Sequence, residues 1–321
     1  MSTPSVSDPT APVRSRVLLR AGRCAAGALA LALLLVAGCE EDVNPFIGTN
    51  LPYTVWGYIN PKADTHAVRV FTIDDQLRLI SPEPIDATVS LVRVSDGRRS
   101  FWVDSTVQLF NGDYRHIFWL AEPVTPGETY RLEVERSDGV VTRSEAVIVP
   151  DPIALELLPP NENVVSSIEL PVLFRGDPPA LPRVEVTYRT YSTNTAGVTT
   201  ATLPVVISYT TRPIRRPEGW ELLVQLRDDF RIIARSYAEQ ELPAQFICAD
   251  SLQLDVHVGD AGWVSPVGVF DENFLVEPGT LSNIENGFGF FGAGYIESIT
   301  WHPSDLLLVR AGFDDCTGVS N

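Results

Sequence analysis

Short apolar runs broken by turn residues dominate the chain from Leu51 onward. Tyr53–Ile59, Ala67–Ile73, Ala87–Val94, Phe101–Val107, Tyr114–Leu120, Tyr130–Glu135 and Val140–Val149 are rich in Val, Ile, Tyr, Phe and Thr. Such side chains suit a pleated, half-buried surface. Asp96-Gly97, Asn111-Gly112, Pro126-Gly127 and Asp138-Gly139 separate them, each with the backbone freedom a tight turn needs. Tyr130, Leu132 and Val134 alternate with Arg131, Glu133 and Glu135, the signature of an antiparallel sheet with one wet face. Seven runs in about 100 residues predict an immunoglobulin-like or transthyretin-like β-sandwich over 51–150. The Cys…Trp…Cys core of a true immunoglobulin domain is absent.

Pro150, Pro152, Pro159 and Pro160 interrupt the pattern and mark a boundary. Beyond it Ile168–Phe174, Val184–Tyr191, Thr202–Tyr209, Trp220–Leu226, Gln253–Val258, Tyr295–Trp301 and Leu306–Arg310 are strand-like. Phe230, Ile233, Ala234 and Tyr237 recur at helical spacing and predict one helix over Asp228–Gln240. The expectation for 151–321 is a second, mainly β domain with little helix.

The first 38 residues follow a different pattern. Arg14, Arg16, Arg20 and Arg23 precede an apolar run of 13 residues, Cys24–Val36. That is short of the roughly 20 residues needed to cross a bilayer, and it has the length of a signal-peptide core. Val36-Ala37-Gly38-Cys39 is similar to the lipobox of bacterial lipoproteins. The similarity implies lipid on Cys39 and cleavage before it; two or three acyl chains hold a membrane where one does so only marginally. Residues 39–50 then form an acidic tether. Glu40, Glu41 and Asp42 are either a solvated linker or an acidic surface-export signal like that of some Gram-negative lipoproteins.

Charge narrows the partners. Removing residues 1–38 takes away four arginines and Asp8, so 24 basic residues become 20, 41 acidic become 40, and the net charge moves from −17 to −20. A chain this acidic is repelled by nucleic acid and by anionic lipid surfaces, so membrane contact falls to the lipid. Lys62 is the only lysine, which fits a coding bias toward arginine or a salt-adapted surface.

Candidate chemistry is sparse. Cys24 and Cys39 belong to targeting; Cys248 and Cys316 remain, as a disulfide pair or as two thiols. A bridge closing that loop contributes roughly 4 kcal/mol. His66, His116, His257 and His302 stand apart and no HExxH occurs, so no metal site is expected. Asp250, Asp255, Asp260, Asp271 and Glu272 are a solvated acidic surface more readily than a calcium site, since they fit no EF-hand spacing. No GxSxG, P-loop or SxxK is present. Gly287–Gly292 matches GxGxxG literally, but no helix follows it, as a dinucleotide fold requires. Its glycines instead suit a close backbone approach or a sharply turning edge strand. No cofactor and no enzymatic activity are expected.

Ser282-Asn283-Ile284-Glu285-Asn286-Gly287, continuing through Phe288-Gly289-Phe290-Phe291-Gly292-Ala293, resembles the C-terminal signature of the lipoprotein family known as domain of unknown function 4249. Val55-Trp56-Gly57-Tyr58-Ile59 and Gly127–Leu132 agree with it. The family has no established activity. The resemblance implies an accessory role beside a TonB-dependent outer-membrane transporter, in nutrient capture or transfer. The expectation is therefore a non-enzymatic, lipid-anchored outer-membrane binding protein, cell-surface exposed in one variant of that reading, with Phe288, Phe290 and Phe291 and the sheet edges as contacts. A structural or adhesive surface lipoprotein is the alternative, and a carboxylate-dependent hydrolase a distant third. If Cys39 carries the anchor, Cys39→Ser should abolish incorporation of labelled palmitate and leave the uncut precursor. Undiminished labelling would remove the lipid assignment.

Overall fold

The computed structural model describes residues 51–73, 82–108, 110, 112, 114–160, 168–209, 213–242, 246–263 and 282–315. In the first part of the chain the apolar runs become β1 (Tyr53–Ile59), β2 (His66–Thr72), β3 (Thr88–Arg93), β4 (Arg99–Phe101), β5 (Val103–Gln108), β6 (Tyr114–Leu120), β7 (Thr129–Glu135), β8 (Val141–Ser144) and β9 (Val147–Ile148). The second part adds β10 (Ala154–Leu157), β11 (Glu169–Arg175), β12 (Ala180–Thr193), β13 (Thr199–Ser208), β14 (Ile214–Arg216) and β15 (Gly219–Gln225). Helix α1 (Leu226–Glu239), β16 (Phe246–Gly259), a short 3-10 turn at Ala261–Trp263, β17 (Ile284–Glu285), β18 (Gly287–Trp301) and α2 (Asp305–Ala311) follow.

The chain is mainly β, in a layered arrangement. Eight strands form one sheet in the order β13-β12-β16-β18-β1-β2-β6-β5. One half of it packs on the sheet β17-β8-β7-β3-β4, to which β9 adds through β7. Between them lies a core that includes Val55, Val70, Phe118, Val89, Leu132 and Val134. The other half packs on the sheet β10-β11-β15-β14. There Val186, Tyr188 and Leu254 meet Phe174, Leu222, Ile233 of α1 and Leu308 of α2. Each such side chain stabilises by roughly 1.5–3 kcal/mol when fully buried.

The chain passes from the first core to the second between Val149 and Ile153. Yet Asn50–Asn321 form one compact unit, because β18 serves both cores. Its first half pairs in parallel with β1, from Tyr53↔Gly287 to Ile59↔Ala293. Its second half pairs antiparallel with β16, from Gly259↔Gly294 to Leu252↔Trp301. Phe291 and Ala293 enter the first core and Tyr295 the second.

One strand expectation is corrected. Leu306–Arg310 is not a strand but lies within α2. Ser304 caps its N-terminus by accepting from the Leu307 N–H, and Gly312 closes it at φ 118°. Leu307, Leu308 and Ala311 fill the core from one side. Residues 287–294 are half of an interior strand; of the two alternatives for their glycines, the close backbone approach holds and the turning edge strand does not. The short strands β10, β14 and β17 carry too few apolar residues for periodicity to reveal them.

Helix α1 is fastened by a buried carboxylate in its first turn. Asp229 is 3 % exposed; it accepts from Tyr188 Oη at 2.5 Å and from Tyr209 Oη. Tyr209 Oη in turn accepts from the Gln225 N–H at 2.9 Å, so the triad ties helix, sheet and the β15–α1 junction. Burial pushes Asp229 up to about 6, against the lowering effect of both hydroxyls. A carboxyl raised above its unfolded value contributes stability that is complete below about pH 4 and lost as pH climbs through about 6. Relative to Asp229→Asn, the wild type should therefore gain about 2–3 kcal/mol between pH 7.5 and 4, read from urea midpoints. A pH-independent difference would show that Asp229 is not raised.

Candidate functional site

The segment Ser282–Ala293 can now be read atom by atom. Asn283 uses its side-chain amide as a strand would: Oδ1 accepts from the Phe291 N–H at 2.9 Å, and Nδ2 donates to the Phe291 carbonyl at 2.7 Å. Ile284 enters the first core. Asn286 takes φ 54° in the turn between β17 and β18; its carbonyl accepts from Thr142 Oγ1 at 2.7 Å and its Nδ2 donates to the Val141 carbonyl at 3.0 Å. Gly289 adopts φ 108°, and a Cβ there would stand 1.9 Å from the Val55 carbonyl oxygen. The motif thus builds the β1–β18 junction. Phe291 is fully buried and Phe290 is 4 % exposed, so neither is an open contact; Phe288 is half-buried.

On the opposite face from the first core, β18 carries a floor of bare backbone. Gly259 and Gly294 are register partners. The Trp263 indole lies over Gly259 and Gly292, where added Cβ atoms would come within 2.6 Å of it. Phe290 meets Trp263 edge-on at 5.2 Å and Tyr58 does so at 5.9 Å. Asp260 secures the turn that delivers this indole: its carboxylate accepts from the Gly262 N–H at 2.6 Å and from the Ala293 N–H. Burial pushes the Asp260 carboxyl up, opposed by these same N–H groups.

From there an aromatic face continues across the sheet. Trp56 is in register with Phe290 and Arg69, Tyr58 with Ala67, Ala67 with Trp119, and Trp119 with Val103. These residues alternate with Val55, Val68 and Phe118, which point into the core. Trp119 is 41 % and Val103 69 % exposed. The face ends on β5, which closes the sheet order and has no second strand partner among the described residues. Edge strands are commonly blunted by lysine, proline or a bulge. Val103–Gln108 has none of these; its one charge, Asp104, turns inward to His116 Nδ1 at 3.1 Å, the strand's single guard, and the outward positions Val103, Ser105 and Val107 are uncharged.

The other singled-out residues serve the fold. His66 is buried, accepts at Nδ1 from the Asn60 N–H at 3.3 Å, and donates from Nε2 to the Glu122 carbonyl at 3.0 Å; burial lowers its pKa. His302 Nδ1 lies 3.0 Å from the Asp250 carbonyl, and His257 3.9 Å from Glu185. Asp255 accepts from Gln253 and Ser298. Among the described residues no group of three or more His, Cys, Asp or Glu is arranged to hold a metal ion. Cys248 is buried in β16 and disulfide-bonded. Cys39, Cys316, Asp271 and Glu272 lie outside the described residues. The residues of the aromatic face come from five strands, so alternation within β1 and β6 was the one sign of it that the sequence offered.

Gly289→Ala is expected to cost about 3 kcal/mol or more, through a positive φ combined with the Val55 clash, and to lower the melting temperature sharply. Gly97→Ala is the control: φ is 72° and nothing lies within 4 Å of its added methyl, so about 1–2 kcal/mol is expected. Equal losses at the two positions would show that the β1–β18 approach is not the constraint.

No curated protein matches the chain. A family model described as Domain of unknown function (DUF4249) matches residues 41–231. The match stops before Ser282–Ala293, so it rests on the tether, the first core and the start of the second, independently of the C-terminal motif. Because it spans more than half of the 321 residues, the chain belongs to the DUF4249 family.

Proposed function

We propose that this protein is a lipid-anchored, non-enzymatic binding component of the bacterial outer membrane that docks on a TonB-dependent transporter. Anchoring rests on Val36-Ala37-Gly38-Cys39 and the basic, apolar segment before it. The docking reading rests on one observation, the aromatic face of the eight-stranded sheet running out to the edge strand β5, whose outward positions carry no charge. Exposed aromatics beside an open strand edge suit strand addition. Main-chain hydrogen bonds then supply affinity, and side-chain pockets on alternate positions supply selectivity. Transporters of this class are closed β-barrels without a strand edge of their own, so an extended loop of the partner would supply the added strand. The acidic surface keeps the chain off anionic headgroups, leaving the lipid and the partner to set its position.

The test is affinity purification from solubilised membranes after brief crosslinking. The wild-type chain should recover a transporter. Trp119→Glu, at an exposed side chain of β6, and Ser105→Pro, on the edge strand β5, should each reduce recovery at least tenfold while preserving circular dichroism and melting temperature. Recovery of the lipoprotein alone, or equal recovery with both variants, would overturn the docking assignment.

A further inference from the structure

One end of the first sandwich holds a cavity of about 340 Å³. Protein layers normally pack with few voids larger than a water molecule, whereas this volume lies within the roughly 300–1,000 Å³ of small-molecule sites. Leu91, Leu120, Val124 and Tyr130 form its floor and are each at most 7 % exposed. Ionic groups form its mouth. Arg98, in the turn between β3 and β4, and Glu122, just after β6, come from opposite layers and meet at 2.6 Å. Arg93 also lines the cavity, with its guanidinium held by Asp96 at 2.5 and 3.0 Å.

This lining has two guanidinium groups and one carboxylate, in a chain whose formal net charge is −17. An apolar floor alone would accept any hydrocarbon; the mouth selects the head group. Arginine recognises a carboxylate through a planar fork of donors. Glu122 occupies that fork on Arg98 intramolecularly. We propose that the cavity binds an organic carboxylate with a short apolar tail. The tail lies between the sheets against Leu91, Leu120, Val124 and Tyr130. The carboxylate takes the place of Glu122 on Arg98, with Arg93 beside it. A free acid and the C-terminal residue of a peptide share this chemistry.

Titration calorimetry on the full-length chain in detergent tests the assignment. The probes are 3-phenylpropionate and a blocked tripeptide ending in leucine, each with its amide. At least one acid should bind with a submillimolar Kd, and its amide at least tenfold more weakly. Binding of 3-phenylpropionate alone assigns a free acid; binding of the peptide alone assigns a chain terminus. Arg98→Gln, at a mostly exposed side chain, should weaken binding at least tenfold. Glu122→Gln should tighten it about threefold or more, since the competing carboxylate is gone; a salt bridge serving the fold alone would not produce that gain. Ser100→Phe, which fills the lining, should abolish binding with the secondary structure intact. Absence of binding by both acids, equal binding of acid and amide, or weaker binding in Glu122→Gln would overturn the site.

Discussion

Everything in the described fold depends on β18 lying against β1. The pairing is parallel, the only parallel ladder among the described strands, and it joins the beginning of the fold to its end. A parallel neighbour cannot be reached by a short hairpin, so nearly the whole chain intervenes between the two partners. The approach is close enough that a Cβ on Gly289 would overlap the Val55 carbonyl, and one on Gly287 would crowd the Tyr53 carbonyl. Glycine at both positions is therefore a steric requirement. Through this one strand, two hydrophobic cores that are separate along most of the sequence share a single sheet.

That constraint explains the chemistry of the C-terminal motif better than a contact role does. Asn283 and Asn286 satisfy backbone groups at the entrance to β18, Ile284 and Phe291 fill the first core, and the glycines permit approach. The same glycines clear the other face for Trp263, which supplies the side-chain mass that Gly259, Gly292 and Gly294 lack. An aromatic face and a structural seam thus meet on opposite sides of the same backbone. Tyr58 is exposed and Trp56 half-buried beyond the seam because β1 alternates around Val55 and Ile59, which are fully withdrawn from water.

Ionisable groups divide between holding the fold and shaping the surface. Asp229 and Asp260 are buried carboxylates held by hydroxyl and backbone donors, and burial raises both. Exposed pairs such as Arg136–Asp138 and Arg93–Asp96 sit at hairpin turns, where solvent screening leaves each worth little to stability. Arg98–Glu122 differs in place: it bridges two layers over a cavity, so its partners can exchange for a ligand without opening the core.

The sequence by itself determined the elements whose side chains announce a period. β1 and β6 fall on Tyr53–Ile59 and Tyr114–Leu120 as their alternation requires, and α1 follows the spacing of Phe230, Ile233 and Tyr237. It also carries the basic and apolar blocks of residues 1–39, on which the anchoring proposal rests. Leu306–Arg310 escaped because five mostly apolar residues suit strand and helix equally; the Ser304 cap and the Gly312 terminus settle it as helix. Only the tertiary structure decided the rest. Which strands neighbour one another, the burial of Phe290 and Phe291, the aromatic face and the cavity behind Arg98 all depend on pairings between distant segments. Local periodicity encodes which way a side chain points along its own strand, and carries no record of the strand that will lie beside it.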